Sequence, residues 1–412
     1  MANNKIYILD VTNRDGVQTS RLGLAKLEKT IINVKLNDMG IFQSEFGFPT
    51  TRHEANYLNA NLELAKMEAI SPMRLEGWLR AVPEDVELAM ESVPGLEHIN
   101  VSISTSDQMI QGKFQGRLTG KDVIDKMIKA VERAKSLGLK TIGVNSEDAS
   151  RTGIGYLIEF AAAAKEHGAV RVRYCDTLGY DDPFTIYDRV YRLAKEVGLP
   201  VEMHCHNDLG MAVACSVAGA KGAVDGGVDA YINTTVNGIG ERAGNADILA
   251  TILAIKHSAG FENKYFMDER IDLSKSWSIA KYASYAFGVR IPVSQVGVGD
   301  NAFAHESGIH ADGALKDRRN YELFDYEELG RGEPEIIETG RTITTGAYGG
   351  IKGFRNVYEK LEIEFRDDAE AREILDLARY ANVSTQKPLV ADELRFIAKY
   401  PEQARKILTV SP

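Results

Sequence analysis

Hydrophobic and polar positions follow two alternating periods along roughly the first 260 residues. Short β-branched and aliphatic runs, typical of buried parallel strands, alternate with longer segments whose apolar positions recur with helical spacing. The strand-like runs are Ile6–Asp10, Ile41–Phe46, Met73–Leu79, His98–Ser104, Thr141–Asn145, Val170–Cys175, Val201–His206 and Ala230–Thr234. The helix-like segments are Leu22–Met39, His53–Met67, Pro83–Ser92, Gly120–Leu137, Gly153–Glu166, Pro183–Val197, Met211–Gly222 and 246–258.

Eight repeats of a strand followed by a helix predict an α/β fold, a (β/α)8 TIM barrel. An open doubly wound sheet is the alternative, although it would lack the eightfold regularity.

The pattern changes after residue 260. Leu273–Phe287 has the periodicity of an amphipathic helix, Gly297–Gly313 is rich in glycine and polar residues, and helical segments with short connectors follow from Tyr321 to about Leu408. We therefore predict a barrel at residues 1–260, a linker at 261–272 and a smaller, mainly helical C-terminal region at 273–412. That region would serve as a lid, a dimerisation arm, or both.

Composition narrows the classes of partner. The 412 residues are 44% hydrophobic and 26% charged, as in globular proteins with a large core, and their net charge is -10. This acidic balance disfavours nucleic acid and anionic membranes as partners. No apolar run is long enough to span a bilayer, and the N-terminal residues do not resemble a secretory signal. Three cysteines form no disulfide framework, so we expect a cytoplasmic protein.

Candidate metal ligands follow three of the predicted strands. His204 and His206 lie at positions i and i+2 and therefore share one face at the end of the seventh run. Asp15 follows the first run and Asn245 the eighth, and closure of a barrel makes the last strand a neighbour of the first. One carboxylate, two imidazoles and one amide oxygen suit a divalent cation with positions left for water or substrate. We expect Mn²⁺ or Co²⁺, with Mg²⁺ and Zn²⁺ as alternatives.

Other polar residues are expected on the same rim, where active sites of such barrels lie. Arg14 precedes Asp15, and its guanidinium either closes the barrel in a salt bridge or stabilises charge that develops on a polarised carbonyl. Arg173 lies inside a strand, so it needs an internal carboxylate or a substrate as its partner. The remaining candidates for substrate binding on this rim are Arg80, Glu147, Arg151 and Thr177.

Four segments resemble the motifs of one family. Asn13-Arg14-Asp15-Gly16-Val17-Gln18 is similar to an RDGxQ signature, and the other three are His204–Asp208 (HxHND), Asn237–Asn245 (NGxGERxGN) and Ser307–Gly313 (SGIHxDG). Together they resemble the 2-isopropylmalate synthase and homocitrate synthase family of metal-dependent acyl-transferring barrels, over about residues 5–360. Carbon–carbon lyases on this fold carry a reactive cysteine in the glycine loop. Gly238–Asn245 has none, which favours the synthase branch over a lyase or aldolase.

The resemblance implies a Claisen condensation of acetyl-CoA with a metal-chelated 2-oxo acid, followed by thioester hydrolysis. Residue by residue, it implies that the catalytic residues are Arg14, Glu241, His310 and Tyr321, and that Gln18 binds substrate. His310 and Tyr321 belong to the C-terminal region, so they would reach the barrel mouth of the same subunit or of a partner. The resemblance also implies a homodimer or a higher homo-oligomer.

Within this family, residues 43–51, 75–78 and 173–180 most resemble the Re-type citrate synthases, which implies oxaloacetate as the oxo acid. The distal carboxylate of oxaloacetate needs a cationic partner, and the candidates are Arg80, Arg151 and Arg173. Lys113 and Arg117 are candidates for binding CoA. The alternatives are homocitrate synthase acting on 2-oxoglutarate, citramalate or isopropylmalate synthase, a lyase or aldolase, and a metal-stabilised barrel that only binds.

One departure concerns the first strand end. The segment Asp10-Val11-Thr12-Asn13-Arg14 stands where ordinary members of the family have the sequence DTTLR, so Asn13 takes the place of a leucine.

Overall fold

Eight parallel strands close into a barrel in the computed structural model, which describes residues 4–335 and 339–410. The barrel strands are β1 (Lys5–Asp10), β2 (Gln43–Gly47), β3 (Arg74–Arg80), β4 (His98–Ser104), β5 (Thr141–Glu147), β6 (Arg171–Asp176), β7 (Val201–Cys205) and β8 (Ala230–Thr234). Each strand pairs with the next along the chain, and β1 pairs with both β8 and β2. This closure confirms the predicted TIM barrel and excludes the open sheet.

A helix follows each strand, as predicted. The barrel helices are α1 (Lys26–Asp38), α2 (Arg52–Lys66), α3 (Pro83–Ser92), α4 (Asp107–Gly112), α5 (Gly120–Ser136), α6 (Ile154–His167), α7 (Pro183–Val197), α8 (Ala212–Asp225) and α9 (Ile248–His257). The short α4 was not predicted. It begins where the Ser106 hydroxyl accepts a hydrogen bond from the Met109 amide, which caps the first turn.

The barrel interior contains charged side chains instead of a purely aliphatic core. In β6, Val172 and Tyr174 face outward into the hydrophobic core, while Arg171 and Arg173 alternate with them and face inward. Arg171 pairs with Glu76 and Glu202 from other strands, and all four inward-facing side chains are buried. The barrel therefore has an ionic layer beneath its mouth.

The C-terminal region is built from further helices: α10 (Ser276–Phe287), α11 (Gly308–Lys316), α12 (Ile351–Lys360), α13 (Asp368–Thr385), α14 (Ala391–Lys399) and α15 (Pro401–Leu408). Helices α10, α14 and α15 pack on α1, and α15 also packs on α2. Two ion pairs join the regions, Lys387 to Glu28 at 3.0 Å and Lys406 to Glu63 at 2.6 Å. Helix α11 packs instead against a short 3-10 helix at Arg318–Asn320.

The segment predicted as a linker contains a short strand. Strand β9 (Phe266–Met267) pairs with Lys5 and Ile6 at the start of β1. Phe261 and Tyr265 are buried beside it. The segment 261–272 is thus part of the packed structure, and the proposed division of the chain into three parts stays a prediction. Among the described residues, no helix combines the length and the hydropathy that crossing a membrane requires.

Candidate active site

Three predicted metal ligands converge at the carboxyl ends of β1 and β7. Asp15, His204 and His206 each offer one ligand atom, and these atoms lie within 4.8 Å of one another. Asp15 precedes the 3-10 turn Gly16–Gln18, and its amide donates to the Val11 carbonyl over 2.7 Å. The two imidazole centroids are 5.1 Å apart with their planes at 82°, and His204 Nε2 lies 4.0 Å from Asp15 Oδ1.

The glycine-rich loop after β8 brings the fourth predicted ligand, Asn245, to the same place. Asn245 forms an isolated antiparallel bridge with His206, and its side chain hydrogen-bonds to Asp15. The loop folds so tightly that a Cβ built on Gly240 would lie 1.6 Å from Asn245 Oδ1. Only glycine fits there with the Asn245 side chain in its present position.

The donor atoms fit a divalent cation. Asp15 Oδ2, His206 Nδ1 and Asn245 Oδ1 are all buried without a hydrogen-bond partner among the described residues. Buried polar atoms in proteins are nearly always paired, so unpaired acceptor atoms on three of the predicted ligands fit coordination of a cation. A carboxylate, imidazoles and an amide oxygen form a donor set of intermediate hardness.

The protonation states also suit metal binding. Burial lowers the pKa of His206, and lowers that of His204 well below its ordinary value, so both rings are neutral at pH 7. Burial by itself would raise the pKa of the Asp15 carboxyl, but the Arg14 guanidinium, the two imidazoles and the Asn245 amide together outweigh it, and the pKa lies at about 2. Neutral imidazoles and an ionised carboxylate are the forms that coordinate metals.

A hydrogen-bonded relay fixes the orientation of His204. Asn233 Nδ2 donates to Glu202 over 2.7 Å, so the Asn233 carbonyl oxygen faces His204 Nδ1 at 3.1 Å. This oxygen only accepts, and therefore His204 must carry its proton on Nδ1. The Nε2 lone pair is then left for the metal centre, as in the carboxylate-linked histidines of many metal sites.

Arg14 is held beside the centre by two carboxylates. Its guanidinium donates to Asp15 over 2.6 Å and to Glu45 over 3.2 Å, and it lies 5.7 Å from the centre of the Trp78 ring. The side chain is almost fully buried. A fixed positive charge thus lies next to the ligand carboxylate.

Arg173 has internal partners. Its guanidinium pairs with Glu45 at 3.1 Å, Glu76 at 3.4 Å and Glu202 at 2.6 Å, and its side chain is fully buried. Of the two kinds of partner that the sequence allowed, the structure provides the internal carboxylate, and three carboxylates surround the buried guanidinium. Binding of the distal carboxylate by Arg173 stays a prediction, which these internal ion pairs disfavour.

A cleft of about 570 Å³ opens between the ends of β3, β4 and β5 and the helices α4 and α5. Glu147 lines it and accepts from Lys113 Nζ over 2.6 Å. Arg80 lines it too, exposed and paired with Asp85 at 2.7 Å. The basic residues around the cleft are Arg80, Lys113, Arg117 and Lys126, and the apolar ones are Trp78, Ala81, Val82, Ile103, Phe114 and Leu118.

Three further predicted residues lie along the rim. Arg151 pairs with Asp148 at 2.7 Å, and the Asp148 amide donates to Thr177 Oγ1 over 2.9 Å. Asp148 adopts the left-handed conformation (φ 66°), which turns the chain between the end of β5 and the 3-10 helix Ala149–Arg151. Gln18 is exposed at the end of the 3-10 turn that follows Asp15.

The catalytic residues implied by the resemblance are dispersed. Glu241 is exposed in the glycine loop, 3.9 Å from Arg242. The rings of His310 and Tyr321 stack at 4.3 Å, and both side chains are exposed. In the described part of the chain, the ring contacts of His310 are with Tyr321 and His305, and His310 is not among the side chains whose ligand atoms lie within 4.8 Å of one another at Asp15.

Some residues of the site were missed from sequence. Asn233, Glu76 and Glu202 were not singled out, although each is a polar side chain inside a strand of mostly apolar residues. A polar side chain among apolar neighbours in a strand was the signal that could have identified these residues. It identifies an inward position but gives no indication of which charged partner lies across the barrel.

Comparison with known proteins places the chain in a family. Residues 5–282, more than half of the chain, match the model of the HMGL-like family, and residues 298–384 match "Homocitrate synthase post-HMGL domain-like". The chain belongs to the HMGL-like family.

Two curated relatives cover nearly the whole chain. The chain is 63% identical to a citrate (Re)-synthase of Dehalococcoides mccartyi (strain CBDB1), with 99% of each chain aligned. It is 38% identical to 2-isopropylmalate synthase 2 of Caldanaerobacter subterraneus subsp. tengcongensis, over 95% of this chain and 94% of the relative. The crystal structure of hydroxymethylglutaryl-CoA lyase from Pseudomonas aeruginosa has a TM-score of 0.56 at 16% identity, covering 70% of this chain and 95% of the lyase, and it shows the shared fold alone.

Proposed function

We propose that this HMGL-like protein is a Re-type citrate synthase, an acyltransferase that condenses acetyl-CoA with oxaloacetate and then hydrolyses the thioester to citrate and CoA. The observation that carries the proposal is the 63% identity to the Dehalococcoides citrate (Re)-synthase over 99% of both chains. The geometry adds a cluster of ligand atoms at the barrel mouth and a cleft beside it. Three buried cysteines without a disulfide agree with a cytoplasmic protein.

Asp15, His204, His206 and Asn245 would hold a divalent metal ion, for which we expect Mn²⁺ or Co²⁺. When bound, such an ion supplies a Lewis acid for the keto group of the oxo acid. Arg14 has its guanidinium fixed within 2.6 Å of Asp15, so it can stabilise negative charge that develops on the reacting oxygen. Because the guanidinium is already oriented by Glu45, it needs no reorganisation during the reaction.

The cleft beside the centre is the proposed site for acetyl-CoA. The chain has a net charge of -10, so an anionic cofactor requires a local group of cations. Arg80, Lys113 and Arg117 supply that charge, and Phe114 and Leu118 supply apolar surface. The cleft has a volume of about 570 Å³, which is far larger than the distal end of oxaloacetate requires. The volume therefore favours a larger ligand such as acetyl-CoA.

The distal carboxylate of oxaloacetate would bind to Arg80 or Arg151. Both guanidiniums pair with a carboxylate near the rim, Asp85 and Asp148 respectively, and both remain accessible. Glu147 lines the cleft with Arg80, and Thr177 accepts from the amide of Asp148, the partner of Arg151, so both would contact the bound acid together with Gln18.

A homodimer would complete the site. Glu241 and His310 are the proposed acid and base, with Tyr321 assisting, but His310 and Tyr321 are exposed and stack on each other. Exposed apolar side chains lie on the loops and in the first turn of α7 after the strands (Leu178, Leu209 and Phe184) and around α11 (Ile309, Leu315, Leu323). Exposed apolar groups of this kind mark association surfaces, so we propose that α11 of one subunit covers the barrel mouth of another.

The test is release of free thiol from acetyl-CoA by the purified protein with Mn²⁺. Oxaloacetate, 2-oxoglutarate, 2-oxoisovalerate and pyruvate are supplied separately, with a chelator as the control. We expect metal-dependent turnover with oxaloacetate and citrate as the product. Turnover with 2-oxoisovalerate or 2-oxoglutarate instead would make the protein an isopropylmalate or homocitrate synthase, and no turnover with any acid would refute acyl transfer.

A further inference from the structure

We propose that Asn13 is a positioning residue for the metal centre. Its amide ties the loop that carries Arg14 and Asp15 to helices α1 and α2 through a buried hydrogen-bond network. This inference rests on the proposed metal site but not on the identity of the oxo acid.

Asn13 itself is fully buried and donates twice. Its Nδ2 donates to the carbonyl of Lys29 over 2.8 Å and to Asn33 Oδ1 over 2.9 Å, and both acceptors belong to α1. Asn13 Oδ1 has no partner among the described residues. The side chain therefore acts here as a double donor that holds the loop against one turn of the helix.

Asn33 is the hub of the network. Its Oδ1 accepts from Asn13 and from Ser44 Oγ in β2 at 2.8 Å. Its Nδ2 donates to Asn61 over 2.9 Å and to the Tyr57 hydroxyl over 3.2 Å, both in α2. Every hydrogen-bonding position of the Asn33 amide is used, which fixes the acceptor that Asn13 reaches.

The loop is attached on its two sides by adjacent residues. Thr12 Oγ1 accepts from the Val236 amide after β8 over 2.9 Å, while Asn13 is bound to α1 on the opposite side. Arg14 and Asp15 come next and point to the metal ligands. Without the Asn13 bonds the loop would lose its attachment to α1 and would keep those that Thr12 makes to Val236 and that Arg14 makes to Glu45 in β2.

The side chains around Asn13 form one polar network. Ser44, Tyr57 and Asn61 are buried, and each is hydrogen-bonded to Asn33. A leucine at position 13 would leave the Asn33 oxygen with Ser44 as its one donor and would put an apolar group against two acceptors.

The experiment measures Mn²⁺ affinity by isothermal titration calorimetry on the full chain, with thermal unfolding of the metal-free protein as the second readout. The variants are Asn13→Leu and the milder Asn13→Ser, and the matched control is Asn61→Leu. Asn61 is equally buried and belongs to the same network but does not touch the loop. Substitutions behind metal ligands commonly weaken binding about 10- to 100-fold, and we expect at least about tenfold for Asn13→Leu.

We expect Asn61→Leu to lower the unfolding temperature but to leave the Mn²⁺ dissociation constant within about twofold of wild type, since Asn13 keeps both acceptors. Equal loss of metal affinity in the Asn61 and Asn13 variants would show a general effect of stability and overturn the proposal. Unchanged affinity in both Asn13 variants would overturn it as well. Neither result depends on citrate formation, so failure here is distinct from failure of the proposed function.

Discussion

At the scale of single residues, the centre depends on groups that coordinate nothing themselves. Glu202 orients Asn233, and Asn233 sets the tautomer of His204. Gly240 leaves the space that the Asn245 amide occupies. Such residues determine where the ligand atoms lie. The residue type at each of these positions is restricted by its close contact with a ligand or with a neighbour of a ligand.

Gly240→Ala tests that constraint. A Cβ at this position would lie 1.6 Å from Asn245 Oδ1 and 2.8 Å from its Cγ, so the Asn245 amide cannot keep its present position. We expect Mn²⁺ affinity and acetyl-CoA turnover to fall at least about tenfold, because a displaced ligand shell costs that much in comparable metal sites. Gly153→Ala is the control, since a Cβ there meets no atom within 4 Å. Wild-type affinity in Gly240→Ala would contradict the role given to Asn245.

At the scale of elements, α10 and α14 meet at a buried acid. Glu393 accepts from the Tyr282 hydroxyl over 3.1 Å and from the Val390 amide over 2.9 Å, and its side chain is fully buried. Burial raises the pKa of this carboxyl to about 7. The neighbouring Glu28 also has a raised pKa through burial, and Lys387 binds Glu28 at the same junction.

The sign of the pH effect follows from that pKa. Glu393 binds its proton more tightly in the folded state than in the unfolded chain, where its pKa is about 4.5. Its contribution to stability is therefore complete below about pH 4.5 and is lost as the pH rises towards 7, amounting to at most about 3 kcal/mol. Glu393→Gln keeps the acceptor but removes the titration, so we expect its unfolding temperature to change less between pH 5 and pH 7 than that of wild type. Identical slopes for the two proteins would show that Glu393 does not titrate there.

At the scale of the whole molecule, the question is whether one subunit contains the complete active site. The metal ligands lie at the barrel mouth, whereas His310 and Tyr321 lie on α11 and beside the 3-10 helix that contacts it. A dimer with exchanged α11 regions would join them.

Mixing two inactive variants distinguishes the arrangements. Asp15→Asn lacks a metal ligand and His310→Ala lacks the C-terminal imidazole, so a mixed dimer with exchanged regions contains one intact site. Random mixing should then restore about a quarter of wild-type turnover. A mixture of Asp15→Asn with His206→Ala is the control, since both lesions lie in the barrel and neither subunit can correct the other. No recovery in the first mixture would place His310 in the site of its own subunit.

The amino-acid sequence by itself determined the barrel and the chemical character of its mouth. Helical and strand periodicities are local properties, because each element must bury one face or both. Eight repeats of a β-branched run followed by an amphipathic segment are compatible with few folds other than the barrel. The same reasoning placed Asp15, His204, His206 and Asn245 at strand ends that closure makes adjacent, and the structure brings them together.

Only the tertiary structure decided which distant groups are paired. Arg173 and Glu45 are separated by 128 residues, and their contact depends on strand register and on how the barrel closes, neither of which is encoded in a local pattern. The Asn13 network likewise joins a loop, a strand and two helices through side chains that a reader of the sequence would place on separate elements. The positions of His310 and Tyr321 depend on packing between regions. Long-range packing of this kind determines which of the suitable residues lie together in the site.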